Sequence, residues 1–284
     1  MYPYDIIPGI SLYDILFTAA LILALVVFRI YSDKRGIETK LFNLCLYAGL
    51  VGICVGYVTS ILTQAVYNYN ETGVFEINSS TGMTFYGGLL GGAGIFLVIY
   101  FIYGAIRFKD KIHIKRFWEF ADIAGCSIAV AHATGRIGCL MVGCCYGRKT
   151  SSWLSVMNVH LGYKTVPVQL YESLFLYALF AVMSVRVYRG KKYNFPLYLM
   201  AYGVFRFIIE YYRGDTVERG KTVVDFLTPA QLTAIILFLV GAVMMAVLMT
   251  IQHKKKSAIS AGEAGSCITS DKDQNGSANV SNND

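Results

Sequence analysis

Residues 11–30 read SLYDILFTAALILALVVFRI, with Asp14 and Arg29, each near an end, as the only charges. A run of about 20 residues this apolar is long enough to cross the hydrocarbon of a bilayer as one helix. No Lys or Arg precedes it, it is too long for the hydrophobic region of a signal peptide, and no small-residue cleavage site follows. It therefore reads as a permanent helix.

Working outward, further runs of this kind fall near 41–66, 84–105, 119–141, 168–187, 195–212 and 226–250, the fourth being the least apolar. Hydrophobic residues make up 55% of the 284 and charged ones 15%; the mean hydropathy is +0.50. These features predict an all-α, polytopic membrane protein with about seven transmembrane helices. The bundle is expected over 1–252. A tail without regular structure is expected over 253–284, where Ser, Gly, Asn and Asp replace apolar residues and too little area is left to bury. The net charge of +7 does not imply a nucleic-acid partner, because the basic residues sit in short loops between apolar runs. There is no GxxxxGK[ST] loop and no His/Cys quartet with metal-ligand spacing, so no cofactor is expected.

Lys and Arg are distributed unevenly over alternate loops. Sixteen fall on one side, from Arg29–Lys40, Arg107–Arg116, Arg186–Lys192 and Lys254–Lys256. Six fall on the other, at Arg148, Lys149, Lys164, Arg213, Arg219 and Lys221. The positive-inside rule then places the amino terminus outside and the tail in the cytoplasm.

Ionisable residues inside apolar helices are costly, on the order of 3 kcal/mol, and usually face a partner or a wet cavity. In the sixth run Tyr202, Arg206 and Glu210 recur every four residues and share a face, which Arg213 extends. An ion pair that only locks helices together is the plainer reading of Arg206 and Glu210. In the fourth run His132 and Arg136 are also four apart and lead into GRIGCLMVGCCYG at 135–147. So many glycines imply either close backbone approach or a broken helix, and a break beside Arg136 would make an anion site from freed N–H groups. A small-residue interface with a snorkelling arginine is the alternative. Tyr86-Gly87-Gly88-Leu89-Leu90-Gly91-Gly92 holds two small-xxx-small pairs, equally suited to packing. Pro167 suits a helix start, with Gln169 and Glu172 on one face beyond it. Tyr13 and Asp14 open the first helix. With the topology above, nearly all these polar residues gather at outer helix ends.

The seven cysteines do not form a secreted-domain disulfide framework. Cys139, Cys144, Cys145 and His132 offer soft metal ligands, but in no standard spacing, and small apolar filler is the favoured role.

Four stretches together resemble the bacterial prolipoprotein diacylglyceryl transferase family: GRIGCLMVGCCYG (135–147), PVQLYE (167–172), YGVFRFIIEYYR (202–213) and, in weaker form, YGGLLG (86–91). The likeness runs in order from about Tyr13 to the last helix. It implies a seven-span enzyme of the bacterial cytoplasmic membrane. That enzyme moves diacylglyceryl from phosphatidylglycerol to the lipobox cysteine of a prolipoprotein and releases glycerol phosphate. Tyr13, Arg136, Gly147, Tyr202, Arg206, Glu210 and Arg213 match family positions tied to function. The chain departs from the family pattern at Tyr86 and Val166, where His is usual, at Cys139, where Asn is usual, and at Cys144, where an acidic residue is usual. On this reading Arg206, Glu210, Tyr202, Tyr13 and His132 are the catalytic candidates. Arg136, Arg213, Gly135, Gly138, Gly147, Tyr86, Gly87, Gln169 and Glu172 are the substrate-binding ones. Two other classes compete: an anionic-lipid binder or transporter with the same arginines, and a thiol–disulfide protein using Cys139, Cys144 and Cys145.

Overall fold

The computed structural model describes residues 1–2, 4–78, 81–215 and 227–277. After a short hairpin, β1 (Asp5–Ile7) and β2 (Ile10–Ser11), the chain is helical almost throughout. The helices are α1 (Leu12–Lys34), α2 (Thr39–Thr72), α3 (Phe85–Val98), α4 (Gly104–Arg107), α5 (Ile112–Lys115), α6 (Phe117–Val142), α7 (Val168–Tyr188), α8 (Asn194–Glu210) and α9 (Pro229–Ser277). A π-helical turn, Ile99–Tyr103, joins α3 to α4, and a second hairpin, β3 (Val156–Asn158) and β4 (Tyr163–Thr165), precedes α7.

Among the described residues, six helical segments are long and apolar enough to cross a membrane: Leu12–Lys34, Thr39–Asn70, Tyr86–Arg107, Phe117–Val142, Val168–Tyr188 and Pro229–Lys254. The seventh expected span is α8, 17 residues long, whose charges at Arg206 and Glu210 break its apolar run. α6 is the least apolar of the six, and 56% of its apolar window is buried, against 11% for α9. The two facts belong together, because a helix enclosed by protein need not present an apolar face to lipid.

α9 is helical from Pro229 to Ser277. Extending an existing helix adds one hydrogen bond per residue fixed and avoids the cost of nucleation. Residues 278–284 of the expected tail lie outside the described residues, as do Arg219, Lys221 and residue 226.

The chain divides into two compact units. One comprises Met1–Pro3, Cys139–Glu172 and Phe195–Asp284; the other comprises Tyr4–Gly138 and Ser173–Asn194. In the second unit, α1 starts on a capping box. The Ser11 N–H and hydroxyl donate to Asp14 at 2.9 and 2.6 Å, and Asp14 N–H donates back to the Ser11 hydroxyl. Asp14 is thereby used as a cap.

α2 and α3 pack through glycines. A Cβ on Gly56 would stand 2.9 Å from the Gly88 carbonyl, and one on Gly92 would stand 2.8 Å from the Gly52 carbonyl. Gly87 and Gly91 lie against Thr63 and Thr59 with no room for a side chain. Here the small-xxx-small pattern serves close packing.

Three loops counted on the basic side meet in this unit. The Arg116 guanidinium donates to the Gly36 carbonyl and, at 2.8 Å, to the Arg35 carbonyl. Arg35 donates to the Lys191 carbonyl. The loops before α2, before α6 and before α8 thus lie at one end of the unit, as alternate loops of a membrane bundle must.

Candidate active site

Seven sequence candidates fall in the first unit, and most of them converge. In α8 the four-residue spacing places Tyr202, Arg206 and Glu210 on one stripe. The Tyr202 hydroxyl donates to Glu172 Oε1 at 2.8 Å, and its ring stacks on Tyr198 with centroids 6.0 Å apart. Gln169 is buried in the first turn of α7 and its amide donates to the Cys144 carbonyl at 2.7 Å; Glu172, also buried, opens the next turn.

Glu210 is the hub of the charges. Arg206 Nη2 stands 3.0 Å from Glu210 Oε2, with side-chain exposures of 12% and 1%. Arg213 Nε approaches the same oxygen at 3.9 Å. The Thr228 hydroxyl donates to Glu210 Oε1 at 3.0 Å. A carboxylate bridged in this way by two guanidinium groups and a hydroxyl is suited to orienting those guanidinium groups. Arg206 Nη1 is buried and has no hydrogen-bond partner among the described residues. A buried guanidinium N–H left unsatisfied costs about 1–3 kcal/mol, more when charged. An anion placed there removes that cost.

Arg213 is almost wholly buried. Its Nε and Nη2 donate to the two Asp215 oxygens at 3.0 and 2.6 Å. Burial works against its charge. The Asp215 hydrogen bond, the neighbouring Cys145 and the Asp215 carboxylate outweigh burial and raise its pKa.

The backbone around Arg213 is fixed by Gly147. The two residues form an antiparallel bridge, flanked by Arg148 N–H to the Tyr212 carbonyl (2.9 Å) and Gly214 N–H to the Tyr146 carbonyl (3.0 Å). Val166 N–H also donates to the Arg148 carbonyl at 3.0 Å. Three strands of backbone therefore cross at Gly147. A Cβ there would collide with the Val166 carbonyl and lie 3.0 Å from that of Tyr212. Only glycine fits.

The remaining candidates belong to the second unit. Tyr13 packs its ring where a Cβ on Gly138 would lie 3.1 Å away, so Gly138 gives close approach between α1 and α6. α6 runs unbroken from Phe117 to Val142 and ends at Gly143, whose φ is +86°. Of the two alternatives for this stretch, the helix is continuous past Arg136 rather than broken. Gly135 has open space around it, and its neighbours keep helical geometry because one or two glycines cost only about 1 kcal/mol each in a helix. Arg136 and His132 are half-buried side chains of this continuous helix. Tyr86 is 38% exposed at the start of α3, and Gly87 is used in packing against α2.

Three participants were not singled out in the sequence: Asp215, Thr228 and Gln231. Thr228 caps α9, accepting from Gln231 N–H at 3.2 Å while Gln231 Oε1 accepts from Thr228 N–H at 3.1 Å. The signal was present as Thr-Pro-x-Gln, a capping box with proline at the first helical position. Its link to Glu210 was not.

The last turn of α6 carries Cys139, and the loop after it carries Cys144 and Cys145, all as thiols and not disulfides. Hydrogen bonding with Cys139, then with Cys145, together with burial, raises the Cys144 pKa and keeps the thiol protonated. It is poorly suited to thiol exchange, which needs thiolate.

Comparisons with known proteins identify the family. The family model described as prolipoprotein diacylglyceryl transferase matches residues 5–247. Phosphatidylglycerol–prolipoprotein diacylglyceryl transferase 2 of Clostridium perfringens is 28% identical over 260 residues, covering 88% of this chain and 95% of the relative. The transferase of Clostridium tetani is 29% identical over 241 residues, covering 81% and 89%. That of Dehalococcoides mccartyi strain 195 is 30% identical over 202 residues, covering 68% and 74%. With the model spanning nearly the whole helical bundle, the chain belongs to the prolipoprotein diacylglyceryl transferase family.

Proposed function

We propose that this multi-pass membrane transferase moves the diacylglyceryl group of phosphatidylglycerol onto the lipobox cysteine thiol of a prolipoprotein, on the outer side of a bacterial cytoplasmic membrane. The observation that carries the reading is Arg206: one guanidinium nitrogen is fixed by Glu210, and the other is buried and unpartnered among the described residues. That is the state of a guanidinium prepared for an anion.

In the proposed reaction the phosphodiester lies against Arg206. The thiolate sulfur attacks the glyceryl carbon, an S–C bond forms, and the C–O bond to phosphate breaks. The electron pair leaves with glycerol phosphate. Charge grows on the departing phosphate, and fixed guanidinium groups stabilise it most in the transition state. Glu210 orients Arg206, while Arg213, locked by Asp215, fixes the backbone beside Gly147. Tyr202, aligned by Glu172, positions the headgroup, with Gln169 and the Gly147 crossing holding the loop around it. The thiol proton goes to a base. Glu210 and His132 are the candidates, and the partners already on Glu210 favour its orienting role. Tyr13, Arg136, Gly135, Gly138, Tyr86 and Gly87 enter the proposal on the motif match. The basic bias of alternate loops supports an outer amino terminus and a cytoplasmic carboxyl end.

The test combines purified protein, labelled phosphatidylglycerol and a lipobox peptide. A thioether product is expected from the wild type and is lost in Arg206→Ala and Arg136→Ala. Lipid binding without product would favour a non-catalytic lipid binder. Full rescue by both variants in a cell depleted of its own transferase would defeat the phosphate-clamp reading.

A further inference from the structure

The last turn of α6 and the loop that closes it hold three thiols that the transfer chemistry does not use. The sulfurs of Cys139, Cys144 and Cys145 all lie within 4.8 Å of one another. Their spacing in sequence matches no standard site, so the approach is made by the turn. α6 ends at Gly143 with φ +86°, and Cys145 takes a left-handed φ of 58°. That conformation is uncommon for a residue with a side chain and persists only when its surroundings impose it. The turn brings the Cys144 thiol back over the last turn of α6, where it meets the Cys139 carbonyl at 3.8 Å.

Two buried side chains hold the turn. Asn158 Nδ2 donates to the Gly143 carbonyl at 2.9 Å, and Gln169 Nε2 donates to the Cys144 carbonyl at 2.7 Å. Both residues are at most 1% exposed. Cys144 is exposed and the other two residues are half-buried.

We infer that Cys139, Cys144 and Cys145 form a binding site for one soft, thiophilic metal ion. At a metal–sulfur distance of about 2.3 Å, three sulfurs in a trigonal plane stand roughly 4.0 Å apart, so side-chain adjustments of under about 1 Å close the site. An all-sulfur donor set selects ions such as Cd(II), Zn(II) or Cu(I) and rejects Mg(II) and Ca(II). A divalent ion displaces three thiol protons to solvent and leaves the site with one net negative charge. The neighbouring Arg213 guanidinium offsets it. Adjacent Cys144 and Cys145 are poorly placed to bond each other, so a shared ion uses all three sulfurs better than a disulfide does.

The experiment titrates the reduced full-length protein in detergent with Cd(II) alone. A thiolate-to-metal charge-transfer band should saturate at one equivalent. Cd(II) should also slow maleimide labelling of Cys139, Cys144 and Cys145 together, read by peptide mass spectrometry. In Cys144→Ser the Cd(II) affinity should fall by about tenfold or more, since even changes beyond the ligands cost that much. A band that survives unchanged in the triple Cys→Ser variant overturns the site. So does wild-type labelling that ignores Cd(II), a readout that needs no variant to fold. Spontaneous loss of two thiols per chain, with no cadmium band on the reduced protein, would mean a disulfide pair in its place.

Discussion

The Tyr202 hydroxyl reaches Glu172 across 2.8 Å and fastens the middle of α8 to the second turn of α7. These residues are 30 positions apart, in two motifs that carry no mark of each other in the sequence. The bond fixes the face of α8 on which Arg206 and Glu210 lie, so the register of the arginine stripe depends on it.

Replacing Tyr202 with Phe keeps the ring stacked on Tyr198 and removes only the donor. A hydrogen bond to a charged acceptor contributes about 1.5–3 kcal/mol. If that energy is expressed in the transition state, kcat/KM for lipid transfer falls roughly ten- to a hundredfold. A wild-type rate in folded Tyr202→Phe would make the bond merely structural.

Arg206→Lys retains a cation beside Glu210 but loses the planar fork and the buried Nη1 donor. The expected result is weaker use of phosphatidylglycerol, with KM up by about tenfold, and little change in melting temperature. Arg206→Ala should be worse on both measures, because breaking a buried pair costs about 3–5 kcal/mol. Equal effects of Lys and Ala would argue against directed anion binding.

At Gly147 an alanine methyl group has nowhere to go between the Val166 and Tyr212 carbonyls. Overpacking of this kind costs about 1–3 kcal/mol, and here rigid backbone must move. Gly147→Ala should lower both the melting temperature and the transfer rate, since the same crossing holds Arg213. Differential scanning fluorimetry and the transfer assay on one preparation check both.

Thr228→Val removes the cap of α9 and the hydroxyl that Glu210 accepts. Loss of the cap alone costs about 0.5–2 kcal/mol. Serine at this position should restore stability and rate, and alanine should not. Rescue by Ser would show that the hydroxyl, not the methyl packing, matters.

Gly91→Val tests the α2–α3 contact apart from the chemistry. The side chain collides with Thr59, so the melting temperature should fall while the rate per folded molecule stays near wild type. A selective loss of rate with unchanged melting would assign this glycine a direct role.

The sequence alone determined the membrane class and the six helices long and apolar enough to cross a membrane, and its uneven Lys and Arg counts predict which loops share a side. These depend on the hydrophobicity of 20-residue runs and on charge counts, which are local sums. It also determined that Tyr202, Arg206 and Glu210 share a face, because helical periodicity converts a spacing of four into adjacency. The motifs of residues 135–147, 167–172 and 202–213 made the family legible without coordinates.

Only the tertiary structure decided which partners those residues take. Glu172 with Tyr202, Thr228 with Glu210, Gly147 with Arg213 and the three gathered sulfurs are contacts between segments far apart in the chain or across a turn whose backbone angles the sequence does not reveal. It also decided that α6 continues through Gly135 and Gly138, and that Gly143 stops it. A glycine permits a break without requiring one, and the packing of Tyr13 against Gly138 shows that in this helix the missing Cβ was needed for contact. Local propensity sets what each segment is able to form. The buried hydrogen bonds and charges, satisfied only by distant residues, select among those forms.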